Sequence, residues 1–215
     1  MKLNKRLLVV TSAFVFLPML LGVVLWERLP EQLPTHFGLD GSADGFSSKA
    51  EAVYLDPFIF LGVHLFLLVV TTISPKSQNI SPKMMRLLYW FIPVLAGLLQ
   101  TITYLVALGW IINPTRFISF LLGGFFMLVG NYLPKIKQNY AVGIKLPWTL
   151  DDEQNWNKTH RLAGRVWMLA GLLICLSVCF PIEPLYVLLP LIAIMILLPA
   201  IYSYKLSRQG EKLDL

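Results

Sequence analysis

The side chains able to do acid–base or metal chemistry fall into a few short stretches. Residues 29–49 read LPEQLPTHFGLDGSADGFSSK and hold His36, Asp40, Asp44 and Lys49, with Glu51 just beyond. Asp40 to Glu51 fills much of a calcium loop, with Asp40, Ser42 and Asp44 at the first, third and fifth positions. Gly45 stands at the sixth and Glu51 at the twelfth. Ser42 is a weak ligand for its position, and the preceding Leu33-Pro34-Thr35 is no helix, so the pattern is expected to hold no metal. His36 has no second His or Cys beside it and reads as a hydrogen-bonded structural histidine rather than a ligand or pH switch.

Asp151, Asp152 and His160 supply acid–base groups in a second stretch, residues 130–165. No HExxH, GxSxG, Walker loop or nucleophilic cysteine arrangement accompanies them, so neither catalysis nor a cofactor is expected. His64 and Gln100 are isolated polar groups inside apolar runs, where ionisable residues are functional candidates. Cys175 and Cys179, four apart in an apolar run, read as packing residues on one helix face.

The elements carrying these residues follow from composition. Of 215 residues, 56% are hydrophobic and only 14% charged, with a mean hydropathy of +0.66. Soluble domains carry about 25% charged residues, so both a soluble globule and a disordered chain are excluded. Six apolar stretches stand out, at about 7–26, 57–73, 87–112, 117–133, 166–180 and 185–204. Backbone groups in lipid must be satisfied within their own segment, which predicts helices. The expected fold is therefore an all-α integral membrane protein with six transmembrane helices. Residues 1–75 form an N-terminal two-helix unit, 85–204 a four-helix unit and 205–215 a tail. The first stretch follows Lys2, Lys5 and Arg6 as a secretory signal does, but its length and lack of a cleavage site predict an uncleaved span.

Fifteen of the 18 Lys and Arg fall in loops on one side of this arrangement and three on the other. The positive-inside rule makes the richer side, with both termini, cytoplasmic. Lying between apolar runs, these cations suit anionic lipid headgroups rather than direct nucleic-acid binding. Two long loops remain. The outer one, residues 27–56, is turn-rich and carries six acids against two bases, a charge able to attract a cationic peptide. The cytoplasmic one is residues 134–165. There Thr149 is expected to cap a short helix that begins near Leu150, reads as amphipathic from Glu153 and lies at the headgroups before the fifth span, with Trp148 and Trp156 as interfacial anchors.

Residues 130–165, GNYLPKIKQNYAVGIKLPWTLDDEQNWNKTHRLAGR, resemble the signature of the SdpI-type immunity proteins. Asn131, Pro134, Lys135, Asn139, Gly143, Pro147, Trp148, Thr149, Leu150, Trp156, Thr159, His160, Arg161 and Gly164 match it, while Lys145 stands where arginine is usual. The 29–49 segment, through Pro34, His36, Phe37, Gly41, Asp44, Gly45 and Lys49, resembles the domain of unknown function that often precedes that signature. The resemblance implies a bacterial multi-pass cell-membrane protein that protects a producer from its own secreted peptide toxin. In some members it also implies signalling by capture of a transcriptional repressor at the membrane. On that reading His36, Phe37, Asp40, Asp44 and Lys49 would shape the outer toxin site. Lys145, Trp148, Trp156, His160 and Arg161 would form the cytoplasmic platform. A small transporter or channel, and a membrane-embedded enzyme using His160 with Asp151 or Asp152, stand as the alternatives.

Overall fold

The computed structural model describes residues 3–38, 41–110 and 113–210. Among them run helices α1 (Lys5–Phe14) and α2 (Leu17–Val24), strands β1 (Gln32–Phe37) and β2 (Ala43–Ser48), and helices α3 (Asp56–Ile73), α4 (Pro82–Ala107) and α5 (Pro114–Tyr132). The short α6 (Pro147–Asp151) and the long α7 (Glu153–Ser177) and α8 (Pro184–Gly210) follow. Five helical segments are long and apolar enough to cross a membrane: Lys5–Val24, Glu51–Ile73, Pro82–Ala107, Pro114–Lys135 and Pro184–Gln209. The chain is a mostly helical, multi-pass membrane protein.

Three expectations change here. The 27–56 loop is more than turns, because β1 and β2 pair as an antiparallel hairpin with its register shifted between Pro34 and Phe37. The expected amphipathic helix and the apolar stretch 166–180 are one continuous rod, α7, whose first half carries Glu153, Lys158, Arg161 and Arg165. That charge is why α7 falls outside the five apolar spans. Cys179 lies beyond its end, so the two cysteines do not share the helix.

The chain divides into two compact units, Met1–Ile73 with Pro82–Thr115, and Ser74–Ser81 with Arg116–Leu215. In the first unit Asn4 caps α1 by accepting from the Leu7 amide at 3.1 Å. Pro18, lacking an amide proton, sits in the first turn of α2, where the helix restarts. Ser48 and Glu51 form a reciprocal cap ahead of α3. The Ser48 amide donates to Glu51 Oε2 at 2.9 Å, and the Glu51 amide to Ser48 Oγ at 3.2 Å. A five-residue π-helical turn, Glu51–Leu55, then leads into α3.

In the second unit α5 and α7 meet backbone to backbone. A Cβ at Gly171 would come within 2.5 Å of the Gly123 carbonyl oxygen, and one at Gly164 within 2.7 Å of the Gly130 carbonyl oxygen. The pairing 123 with 171 and 130 with 164 makes the helices antiparallel. Small residues at such contacts are how helices associate in lipid, where no hydrophobic effect drives them together.

Candidate functional site

The hairpin of the first unit is anchored through a small core of Leu29, Leu33, Ala52, Val53 and Tyr104, with Trp26 and Leu25 packed on it. Lys49 was expected to face an outside partner, yet it is buried. Its ammonium donates to the Trp26 and Leu29 carbonyls at 3.4 and 3.3 Å and to Glu31 Oε1 at 3.0 Å, and lies 4.8 Å from the centre of the Trp26 ring. A buried cation costs several kcal/mol unless it is so paired. The carbonyls it takes belong to the end of α2 and the approach to β1, so Lys49 ties the hairpin to the helix. Lys49→Met is expected to speed proteolytic cleavage within the hairpin of the purified protein by about tenfold or more, the loss of hydrogen bonds to a charged group. Lys49→Arg should restore much of the protection, and equal cleavage of Lys49→Met and wild type would refute the tie.

What the hairpin leaves outside is a small polar face. His36 Nδ1 and Asp44 Oδ1 are 2.5 Å apart with side chains 74% and 51% exposed, and Thr35 Oγ1 pairs with Ser47 Oγ at 3.1 Å. Phe37 is half-buried beside them. The calcium pattern does not assemble among the described residues. Asp44 faces His36 from within β2, and Glu51 Oε2 is engaged by the Ser48 amide and hydroxyl. Asp40 lies outside the described residues.

The second-unit segment 131–165 folds as a knot of buried amides and aromatics. Asn139, fully buried, accepts from the Ala141 and Val142 amides and donates to the Lys137 and Val142 carbonyls, closing a tight loop on itself. Thr149 is not the cap of the long helix. It lies in α6, where its hydroxyl oxygen accepts from the Leu146 amide at 2.9 Å. Asp152 caps α7 instead, accepting from the Gln154 amide at 2.7 Å. Asp151 and Asp152 are exposed and bond nothing on His160.

Trp156 is no interfacial anchor. It is completely buried, and its indole N–H donates to the Ile136 carbonyl at 2.7 Å. His160 stacks on it at 4.0 Å between ring centres. The Ile144 amide donates to His160 Nε2 at 3.0 Å, so that nitrogen carries a lone pair and Nδ1–H donates to the Trp156 carbonyl at 2.8 Å. The imidazole is therefore neutral. Burial pushes its pKa down to about 4, against the opposing pull of the Trp156 carbonyl. Gly143 has φ +120°, and a Cβ there would meet His160 Nε2 at 2.5 Å and the Trp156 ring at 3.0 Å. Trp148 is half-buried, edge-on to Tyr204 at 5.4 Å. Thr159 donates to Asn155, which also accepts from the Ser203 hydroxyl and donates to the Ser203 carbonyl, joining α7 to α8.

Two partners in this knot escaped the sequence reading. Gln138 donates to the Thr149 and Leu150 carbonyls at 3.0 and 2.7 Å, and accepts from Lys76 at 2.6 Å. Asn79 donates to the Gln138 carbonyl at 2.7 Å. The short link 74–81 is thereby part of the same assembly. The cations are left outside: Lys135 rests on Asn131 and Tyr132, and Lys145, Lys158, Arg161 and Arg165 are exposed.

Comparison with known proteins covers both the hairpin and the knot. Residues 135–203 match the model of the SdpI/YfhL protein family, and residues 13–61 that of a domain of unknown function, DUF1648. The chain is 27% identical over 212 residues to the immunity protein SdpI of Bacillus subtilis (strain 168), covering 95% of this chain and 98% of that protein. No solved structure matches it. By these matches the multi-pass membrane chain carries an SdpI/YfhL-type domain at residues 135–203, preceded by a DUF1648-type domain at 13–61.

Proposed function

We propose that the protein is an immunity protein, protecting a bacterial cell at its membrane against a secreted peptide toxin by binding rather than by catalysis. The observation that carries this is the similarity to a protein named for immunity along nearly the whole length of both chains. The hairpin is the toxin-facing element, with His36, Phe37, Asp40 and Asp44 as its contact residues and Lys49 as its support. Its acids favour a cationic peptide. The exposed cations Lys145 and Arg161 on the buried knot form a cytoplasmic platform for a transcriptional repressor.

This reading takes α7 as a sixth crossing, with both termini cytoplasmic. Support comes from its neighbours. Asn155 meets Ser203, and the Trp167 indole donates to the Met195 carbonyl at 3.0 Å, so α7 runs antiparallel to the membrane-length α8. It runs antiparallel to the membrane-length α5 through the glycine contacts as well. The crossing is its apolar part from Val166 onward, and the turns from Glu153 to Arg165 stay with the knot on the cytoplasmic side. Contact of the 74–81 link with Gln138 and Tyr140 fits one shared side for those two loops, as the cation count expects.

The test is a killing assay in the source organism. A deletion strain is exposed to parental culture supernatant and complemented with wild type, His36→Ala or Asp44→Asn. Death of the deletion strain, rescue by wild type and poor rescue by the hairpin variants at equal membrane abundance are expected. Survival of the deletion strain in a supernatant that kills other strains would overturn the proposal.

A further inference from the structure

The core of the first unit contains a column of side chains whose polar atoms take no part in anchoring the hairpin or in the immunity reading. Thr11 and Ser12 lie on α1, His64 on α3, and Gln100 and Tyr104 on α4. His64, Gln100 and Tyr104 are 0%, 4% and 1% exposed. Two contacts give the levels at which these helices meet. Thr11 Oγ1 is 3.1 Å from His64 Nε2, and a Cβ at Gly22 would sit 2.8 Å from the Tyr104 hydroxyl and 2.9 Å from Val53. Between those levels, Phe14 faces Gly97. Gln100 and Tyr104 are one turn apart on the buried face of α4, so the column runs His64, Gln100, Tyr104 toward the hairpin end. From Thr11 to Gly22 the helical rise is about 16 Å.

The hydrogen bonds fix the chemistry of His64. The Thr11 hydroxyl spends its proton on the Leu7 or Leu8 carbonyl, at 2.8 and 3.2 Å. Its oxygen therefore accepts from His64 Nε2–H, and the lone pair is on Nδ1. That nitrogen, both polar atoms of Gln100, the Tyr104 hydroxyl and the Ser12 hydroxyl are buried and find no partner among the described residues. An unpaired polar group in hydrocarbon costs several kcal/mol, and five such atoms in one helix trio are a poor fit to a dry core. Paired with water, each would be satisfied.

We propose that this column is a hydrated intramembrane proton-binding site, with His64 Nδ1 as the acceptor and water entering from the hairpin end past Tyr104 and Gln100. The step is simple: a proton moves from water onto the Nδ1 lone pair, giving an imidazolium that still donates through Nε2 to Thr11. Few charges face it. No Asp, Glu, Lys or Arg occurs in residues 7–26 of the first helical segment, 57–73 of α3 or 87–107 of α4. On α3 the nearest is Asp56, two turns toward the hairpin, where its carboxylate can receive incoming protons.

The test is hydrogen–deuterium exchange at the imidazole C2 carbon, read residue by residue by mass spectrometry on the full chain in lipid nanodiscs across pH 4 to 9. The three histidines, His36, His64 and His160, supply their own references. His64 is expected to exchange with a defined pH midpoint, faster than His160, which is sealed in its knot. Gln100→Leu should slow His64 about tenfold, the effect of one lost hydrogen bond in the water path, and leave His36 unchanged. Tyr104→Phe repeats the test with the ring in place should Gln100→Leu fold poorly. Exchange at His64 no faster than at His160, or equal rates in wild type and the folded variants, overturns the proposal.

Discussion

Gly171→Leu is expected to leave little correctly folded protein in the membrane, while Gly124→Leu one position from Gly123 is expected to behave as wild type. The two substitutions add the same side chain to helices of the same bundle, and the difference lies in what each Cβ meets. At Gly171 it would come within 2.5 Å of the Gly123 carbonyl oxygen and 2.8 Å of the Met127 amide nitrogen. Both are backbone atoms of α5 and cannot swing aside as a side chain can. The helices must part, which also opens the Gly130–Gly164 contact one heptad along and the seat of Pro134 on Gly164. Overpacking of this kind costs about 3 kcal/mol, and in lipid no hydrophobic gain offsets the separation. At Gly124 a Cβ meets nothing within 4 Å. The measurement is the folded, monodisperse fraction recovered in mild detergent, with thermal stability by size-exclusion chromatography. Equal recovery of Gly171→Leu and Gly124→Leu would show that the two helices do not touch as described.

Most of the helical architecture was legible in the sequence because lipid leaves few choices: an apolar run of span length must satisfy its own backbone. The hairpin was not. Its strands contain Pro34 and Gly45 and lack a run of β-branched residues, and they are held by tertiary packing of Leu33 and by the buried Lys49. The Ser48–Glu51 cap is visible as an S-x-x-E pattern, but the same Glu51 also fills the last position of a calcium loop. Only the neighbours decide between them, and Asp44 turns to His36. In the 131–165 segment the residue types that matter were visible and their roles were not. Trp156 and His160 read as an anchor and a candidate base when taken singly, and become a stacked, hydrogen-bonded pair only once Ile136 and Ile144 fold over them. Gln138 and Asn79 carry no local signal, because their partners lie 11 to 62 residues away. So the signature residues divide by depth. Asn139, Thr149, Trp156, Thr159 and His160 build the knot, and Lys135, Lys145 and Arg161 are what it presents.

His160 makes that knot acid-sensitive. In the folded protein its pKa is about 4, and in an unfolded chain an imidazole titrates near 6.5. Above about pH 6.5 both states hold it neutral and it adds no pH dependence. As the pH falls from about 6.5 to about 4, the unfolded chain takes up a proton that the folded one refuses, so stability declines by about 3 kcal/mol and levels off once the folded imidazole titrates too. The physical block is local: a proton on Nε2 would face the Ile144 amide, already pointing at that nitrogen, and desolvation penalises the charge. Unfolding the knot should expose the indole of Trp156, which is 0% exposed. We expect thermal stability in detergent, followed by tryptophan fluorescence, to drop between pH 7 and pH 4.5. His160→Gln should be less stable at pH 7, since two hydrogen bonds and a stacked ring are altered, but should have a flatter pH profile over that window. The difference in slope between the two proteins isolates His160 from every other titrating group. Parallel profiles would mean that the imidazole is hydrated in the folded state and that the knot is looser than its hydrogen bonds describe.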